Sequence, residues 1–251
     1  MPPIPQPSDF PSSLTLSIIP PAPPHTSSTN ILLILHGLGD TIRPYNSFAS
    51  ALHLPETTCI TLQAPTPLPF DLPGYHWGDD LSFNSDGTLD PDPGFTRATR
   101  LIAHELIVNV LIDKLGYQPR GVLILGYAQG AAVGLAVAME LNRLERAECR
   151  EIGGVVAVGG VVPLSAVKED GRRGKSRTAV LLVGGSGAES AVAEGGVGRT
   201  KREFEFVEVV RWQRRGDAMP RSREEMLPVM QFFARRLRSR GGVPEGSVEL
   251  T

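Results

Sequence analysis

Histidine runs out early in this chain. Five are present, His25, His36, His53, His76 and His104, and none follows residue 104. Any step that needs an imidazole from the second half of the sequence is therefore excluded. Cysteine is nearly missing as well. Cys59 and Cys149 are too few for a disulfide framework or a cysteine-rich zinc site, and a reducing, cytoplasmic setting is the natural expectation. Cys59 sits in a strand-like run and is expected to be a buried thiol. No apolar run approaches the roughly 20 residues that a transmembrane helix needs. The opening "MPPIPQPSDFPSS" has neither the basic nor the apolar region of a secretory signal, and the closing "VELT" matches no lipidation or targeting signal. An excess of one charge is also lacking. A net charge of −2 points to neither nucleic acid nor an anionic membrane surface. The basic clusters at 168–177, 199–203, 211–217 and 235–240 are expected to be solvated loops and helix faces.

What is present is the material of one α/β domain. The 251 residues suffice for a sizeable core, and a hydrophobic share of 41% is ordinary for a globular protein. Residues 1–29 are a Pro/Ser-rich segment around one short strand, "LTLSII", with residues 1–13 expected to be disordered. Residues 30–239 form the domain, and 240–251 a frayed tail. Apolar runs closed by Gly or Pro mark strands at 30–37, 59–65, 121–127, 153–160, 178–185 and 204–210. Four are apolar on both faces, as central parallel strands are. Helical patterns fall between them at 45–52, 94–116, 129–145 and 223–239. Pro228 in the last of these is tolerable if it lies in the first turn. Regular alternation of strand and helix predicts a mostly parallel sheet covered on both faces.

Chemistry in such a sheet gathers at the carboxyl ends of the strands. Two ends stand out. One is "LHGLGD", with His36, Gly37, Leu38, Gly39 and Asp40. The other is "GYAQG", with Gly126, Ala128, Gln129 and Gly130. The second has the layout of a nucleophile elbow, G-x-S-x-G, with alanine where serine belongs. Gly126 and Gly130 are expected to let strand and helix pack closely. The backbone N–H groups of Leu38 and Gln129 are the candidate oxyanion-hole donors.

With these motifs the sequence resembles the phospholipase/carboxylesterase family of α/β-hydrolases, the group that contains the acyl-protein thioesterases. "LHGLGDT" is nearly a signature of that family, "GYAQGA" matches its elbow except at one position, and "REEMLPVMQFFARRL" is similar to its last helix. The resemblance runs from about residue 30 to 238. It implies an α/β-hydrolase fold, no cofactor, no metal, and a monomer or weak homodimer. It also implies a serine, an aspartate and a histidine in that chain order. Carried over, those positions fall on Ala128, Glu189 and Met219. His36 is expected to order its loop, and Trp77 and Asp79 to be structural or pocket-lining. His76 with Asp79 and Asp80 lacks the second His or Cys of a metal site. Ser186, in "GGSGA", is the one alternative nucleophile, without a downstream base. The expectation is therefore a pseudo-hydrolase that keeps an oxyanion-hole-type site for an acyl or carboxylate ligand. Two alternatives stand beside it: an active ester or thioester hydrolase with non-standard residues, and a protein-partner module with a closed pocket.

Overall fold

A computed structural model describes residues 2–21, 23, 28–82, 87–167 and 174–239. His25, most of the 168–177 basic cluster and the 240–251 tail lie outside the described residues.

A seven-stranded sheet forms the centre. Its strands are β1 (Leu16–Ile19), β2 (Asn30–Leu35), β3 (Thr57–Leu62), β6 (Val122–Tyr127), β7 (Gly154–Val158), β8 (Val180–Gly184) and β9 (Val207–Arg211), in the order β1-β3-β2-β6-β7-β8-β9. Edge strand β1 runs antiparallel to β3, and every other pairing is parallel. A two-stranded hairpin, β4 (Thr66–Pro67) and β5 (Tyr75–His76), sits apart from it.

Side chains alternate across the sheet and feed two cores. Ile31, Leu33 and Leu35 of β2 face one layer of helices: α2 (Thr96–Arg100) and its continuation Leu101–Lys114, α3 (Gln129–Asn142) and α4 (Glu194–Glu203). Leu32 and Ile34 face the other layer, α1 (Ile42–Leu52) and α5 (Arg223–Arg236). Burial on both sides explains why these strands read as unbroken apolar runs. Cys59 lies in the second core, where burial pushes its thiol up to about 12, so it stays protonated at neutral pH.

Four differences from the sequence reading stand out. The helix beginning at Thr96 widens over Leu101–Lys114 into turns that span five residues, as in the Leu115 N–H donating to the Val110 carbonyl at 2.9 Å. Pro228 lies in the second turn of α5, not the first; the Glu224 carbonyl it leaves unpaired belongs to an exposed residue, which water can serve. Helix α4, "EGGVGRTKRE", escaped notice because three glycines dilute its pattern, and only Val197 and Thr200 anchor it in the interior. Finally, residues 2–13 are packed rather than disordered. Phe10 is buried in the first core, the Tyr117 hydroxyl donates to the Pro3 carbonyl at 3.0 Å, and Lys114 pairs with Asp9 at 3.0 Å. No helix among the described residues is long and apolar enough to cross a membrane.

Candidate functional site

The strand–helix turn at β6–α3 has the strained geometry of a nucleophile elbow. Ala128 adopts φ +48° and ψ −112°, a conformation that L side chains rarely take. Its N–H donates to the Val158 carbonyl at 2.8 Å, and its carbonyl accepts from Ala131 and Ala132 at the start of α3. The flanking glycines are steric necessities. A Cβ on Gly126 would lie 2.3 Å from the Gly130 oxygen, and one on Gly130 would lie 2.4 Å from the His36 oxygen and 2.5 Å from the Leu35 oxygen. At these glycines strand β2, strand β6 and helix α3 meet backbone to backbone, which brings the loop after β2 against the elbow.

That loop is fixed from several directions. The His36 Nδ1 donates to the Gly37 carbonyl at 2.7 Å, while its Nε2 accepts the Ala64 N–H at 2.9 Å and lies 2.8 Å from the Gln63 amide nitrogen. An N–H can only donate, so Nε2 carries no proton and the ring is neutral. Burial lowers the His36 pKa, which favours the same form. Both ring nitrogens are committed, leaving neither to serve as a base. Asp40 accepts the Tyr45 hydroxyl at 2.8 Å and the Gly37 N–H at 3.3 Å. Gly39, at φ +79°, donates to the Tyr75 carbonyl at 2.9 Å.

Trp77 joins the two loops. Its indole N–H donates to the His36 carbonyl at 2.8 Å, and its backbone N–H donates to the Gln129 Oε1 at 2.7 Å. Asp79 does something else: its two oxygens accept the N–H groups of Thr96 and Arg97, each at 2.8 Å, so it caps α2. The backbone N–H groups of Leu38 and Gln129 make no hydrogen bond among the described residues. Two undirected donors beside a helix N-terminus suit a carboxylate or a polarised carbonyl.

The other side of the site departs from the expected pattern. Glu189 is exposed and makes no hydrogen bond among the described residues. A different acid, Asp217, ties this side together, and the sequence analysis did not single it out. One Asp217 oxygen accepts the Gly185 N–H at 2.7 Å and the Ser190 hydroxyl at 2.8 Å, and the other accepts the Ala191 N–H at 2.8 Å. A Cβ on Gly159, at the end of β7, would lie 2.7 Å from the Asp217 Cβ, so the aspartate is sunk between the ends of β7 and β8. Met219, at the expected histidine position, packs half-buried against the second core. Arg214 organises this stretch by stacking on Trp212, pairing with Glu225 at 3.2 Å and donating to the Ala218 and Met219 carbonyls. The available signal was that Asp217 is the one acid in "RWQRRGDAMPRS".

The remaining candidates are dispersed. Ser186 lies with its hydroxyl against the Gln213 and Arg214 carbonyls and is exposed. His76 is buried with Nδ1 unpartnered, while Asp80 accepts the Leu81 N–H on the surface. No group of three His, Cys, Asp or Glu residues among the described residues could hold a metal ion. Two open surface depressions, of about 340 and 460 Å³, lie over the helix layers, and neither is lined by residues 38, 128 or 129.

Comparison with known proteins places this geometry. An uncharacterized hydrolase of Schizosaccharomyces pombe is 32% identical over 140 residues, 54% of this chain and 55% of that protein. The match thus spans about half the length of this curated relative. Among solved structures, acyl-protein thioesterase 2 of Zea mays superposes with a TM-score of 0.64 at 18% identity, covering 89% of this chain and 99% of that one. The Bacillus cereus carboxylesterase gives 0.60 at 15% identity, covering 90% and 96%. Such low identities carry the fold and nothing finer. The model of the phospholipase/carboxylesterase family matches residues 16–231. That span takes in the sheet, the elbow and the loop after β2, and the chain belongs to the phospholipase/carboxylesterase family, with an α/β-hydrolase fold.

Proposed function

We propose that this protein binds an acyl or carboxylate group at the elbow and does not hydrolyse it. One observation carries the reading: the strained turn that exists to present a nucleophile presents the methyl group of Ala128. No histidine follows it in the chain, and His36, beside the elbow, has both nitrogens bonded. In serine hydrolases, loss of the serine or histidine alone costs on the order of 10⁶ in kcat. The binding half depends on backbone donors, and those of Leu38 and Gln129 are unengaged. Without a proton acceptor, such donors can polarise a carbonyl without any bond being broken.

A second reading, a partner-binding module with a closed site, draws on Trp77, which is buried and bonds both Gln129 at the elbow and His36 in the neighbouring loop. Titration with octanoate, followed through the Leu38 and Gln129 amide resonances, separates the two. Saturable shifts at both amides support ligand binding, and silence there favours the closed module. Absence of catalysis is tested on purified protein. It should give no burst with p-nitrophenyl esters and no adduct with a fluorophosphonate, and Ala128→Ser should remain equally inert because the base is still missing. A serine adduct on the unaltered chain, or turnover that disappears in Ser186→Ala, would overturn the proposal.

A further inference from the structure

The outer face between α1 and α5 carries a shallow, open groove of about 460 Å³. Its walls are Phe48 and Leu52 from α1 and Met226 and Met230 from α5, and one end is bounded by Arg221 and Arg223. Neither guanidinium has an ion pair or hydrogen bond among the described residues. The acids near this end are occupied. Glu224 accepts the Ser222 hydroxyl at 2.9 Å, and Glu225 accepts the Arg221 N–H at 2.7 Å besides its pair with Arg214. An apolar trough thus ends in two arginines that make no ion pair among the described residues.

We propose that this groove binds a free medium-chain fatty acid, its alkyl chain along the methionines and its carboxylate between Arg221 and Arg223. Thioether side chains are flexible and polarizable and adapt to an alkyl chain without a fixed shape. The guanidiniums supply charge-assisted hydrogen bonds to a carboxylate, which an alcohol or sugar head would not return with equal strength. The groove's chemistry differs from that of the elbow: side-chain cations bind the head here, and backbone amides would bind it there.

The probe is sodium decanoate below its micelle-forming concentration, added to protein labelled with ¹³C at the methionine methyls. Saturable shifts are expected at Met226 and Met230, with none at Met139, which is buried in the opposite core. Arg221→Ala/Arg223→Ala should weaken binding roughly tenfold, as expected for losing charge-assisted contacts. Ala51→Trp, a surface change on the groove wall, should block it. Decyl maltoside, with the same chain and an uncharged head, should bind at least roughly tenfold more weakly than decanoate. The proposal fails if the two methyls do not respond, if decyl maltoside binds as well, or if the double variant binds unchanged. Leu38 and Gln129 amides, read in the same titration, report the elbow independently. Shifts there alone would sink the groove and spare the elbow reading, and shifts at the methyls alone would do the reverse.

Discussion

Residues 36–40 and 126–132 keep every close approach that an elbow and its neighbouring loop require, whereas residues 184–191 and 212–222 fill the corresponding space with a different set of bonds. On the first side the closest contacts are backbone to backbone: Gly130 against the Leu35 and His36 carbonyls, Ala128 against Val158. On the second side a single carboxylate, Asp217, gathers three donors from the loop after β8. The difference teaches which parts of a site belong to its scaffold. The elbow is continuous with two central strands and a buried helix, so it cannot change without disturbing the core. The acid and histidine positions lie on loops, where side chains can be exchanged and the loops tied down in another way.

Four measurements would break or sharpen this contrast. Gly130→Ala should have the largest effect, because its Cβ meets two backbone oxygens that cannot rotate away. We expect about 3 kcal/mol or more of lost stability, read as a lowered denaturant midpoint. A tolerated alanine would mean that the elbow is softer than its contacts suggest. Asp217→Ala should cost about 2 kcal/mol, since it strands two N–H groups and a hydroxyl. A loss near zero would remove Asp217 as the organiser of its side. Ala128→Gly should stabilise by up to about 1 kcal/mol, because glycine takes the positive φ without strain and only part of that gain is lost to its unfolded-state entropy. A large destabilisation would show that the Ala128 methyl packs in a way the dihedrals do not reveal.

The smallest effect should be a pH dependence. Burial lowers the pKa values of His36 and His76 from the ordinary 6.5, so the native state holds both rings neutral. Below about pH 6.5 the unfolded chain binds more protons than the native one, and stability falls as pH drops through the native values. Melting temperature should therefore decline between pH 7 and 5, with a shallower slope in His36→Gln. An unchanged slope would assign the dependence to His76 or to carboxylates.

The sequence made the first side legible and the second opaque, for physical reasons. Strands β2 and β6 are buried on both faces and end in glycines, so composition and position agreed about them. Register at the family acid could only be counted along the chain, which led to Glu189. The bonds that hold this side join Asp217 to residues 26 to 32 positions away, a distance over which no periodic pattern speaks. The β4–β5 hairpin pairs only two residues per strand, too few to alternate visibly. Residues 2–13 misled through composition: a proline-rich stretch with few apolar side chains still holds one, Phe10, that is drawn inside.

That packed beginning has a bearing on how the molecule assembles. Asp9 and Pro3 are gripped by Lys114 and Tyr117, more than a hundred residues further along. During synthesis these residues leave the ribosome long before the groups that hold them exist. They wait unclasped until the helix carrying Lys114 has emerged, so this stretch cannot settle before chain more than a hundred residues further on has been made.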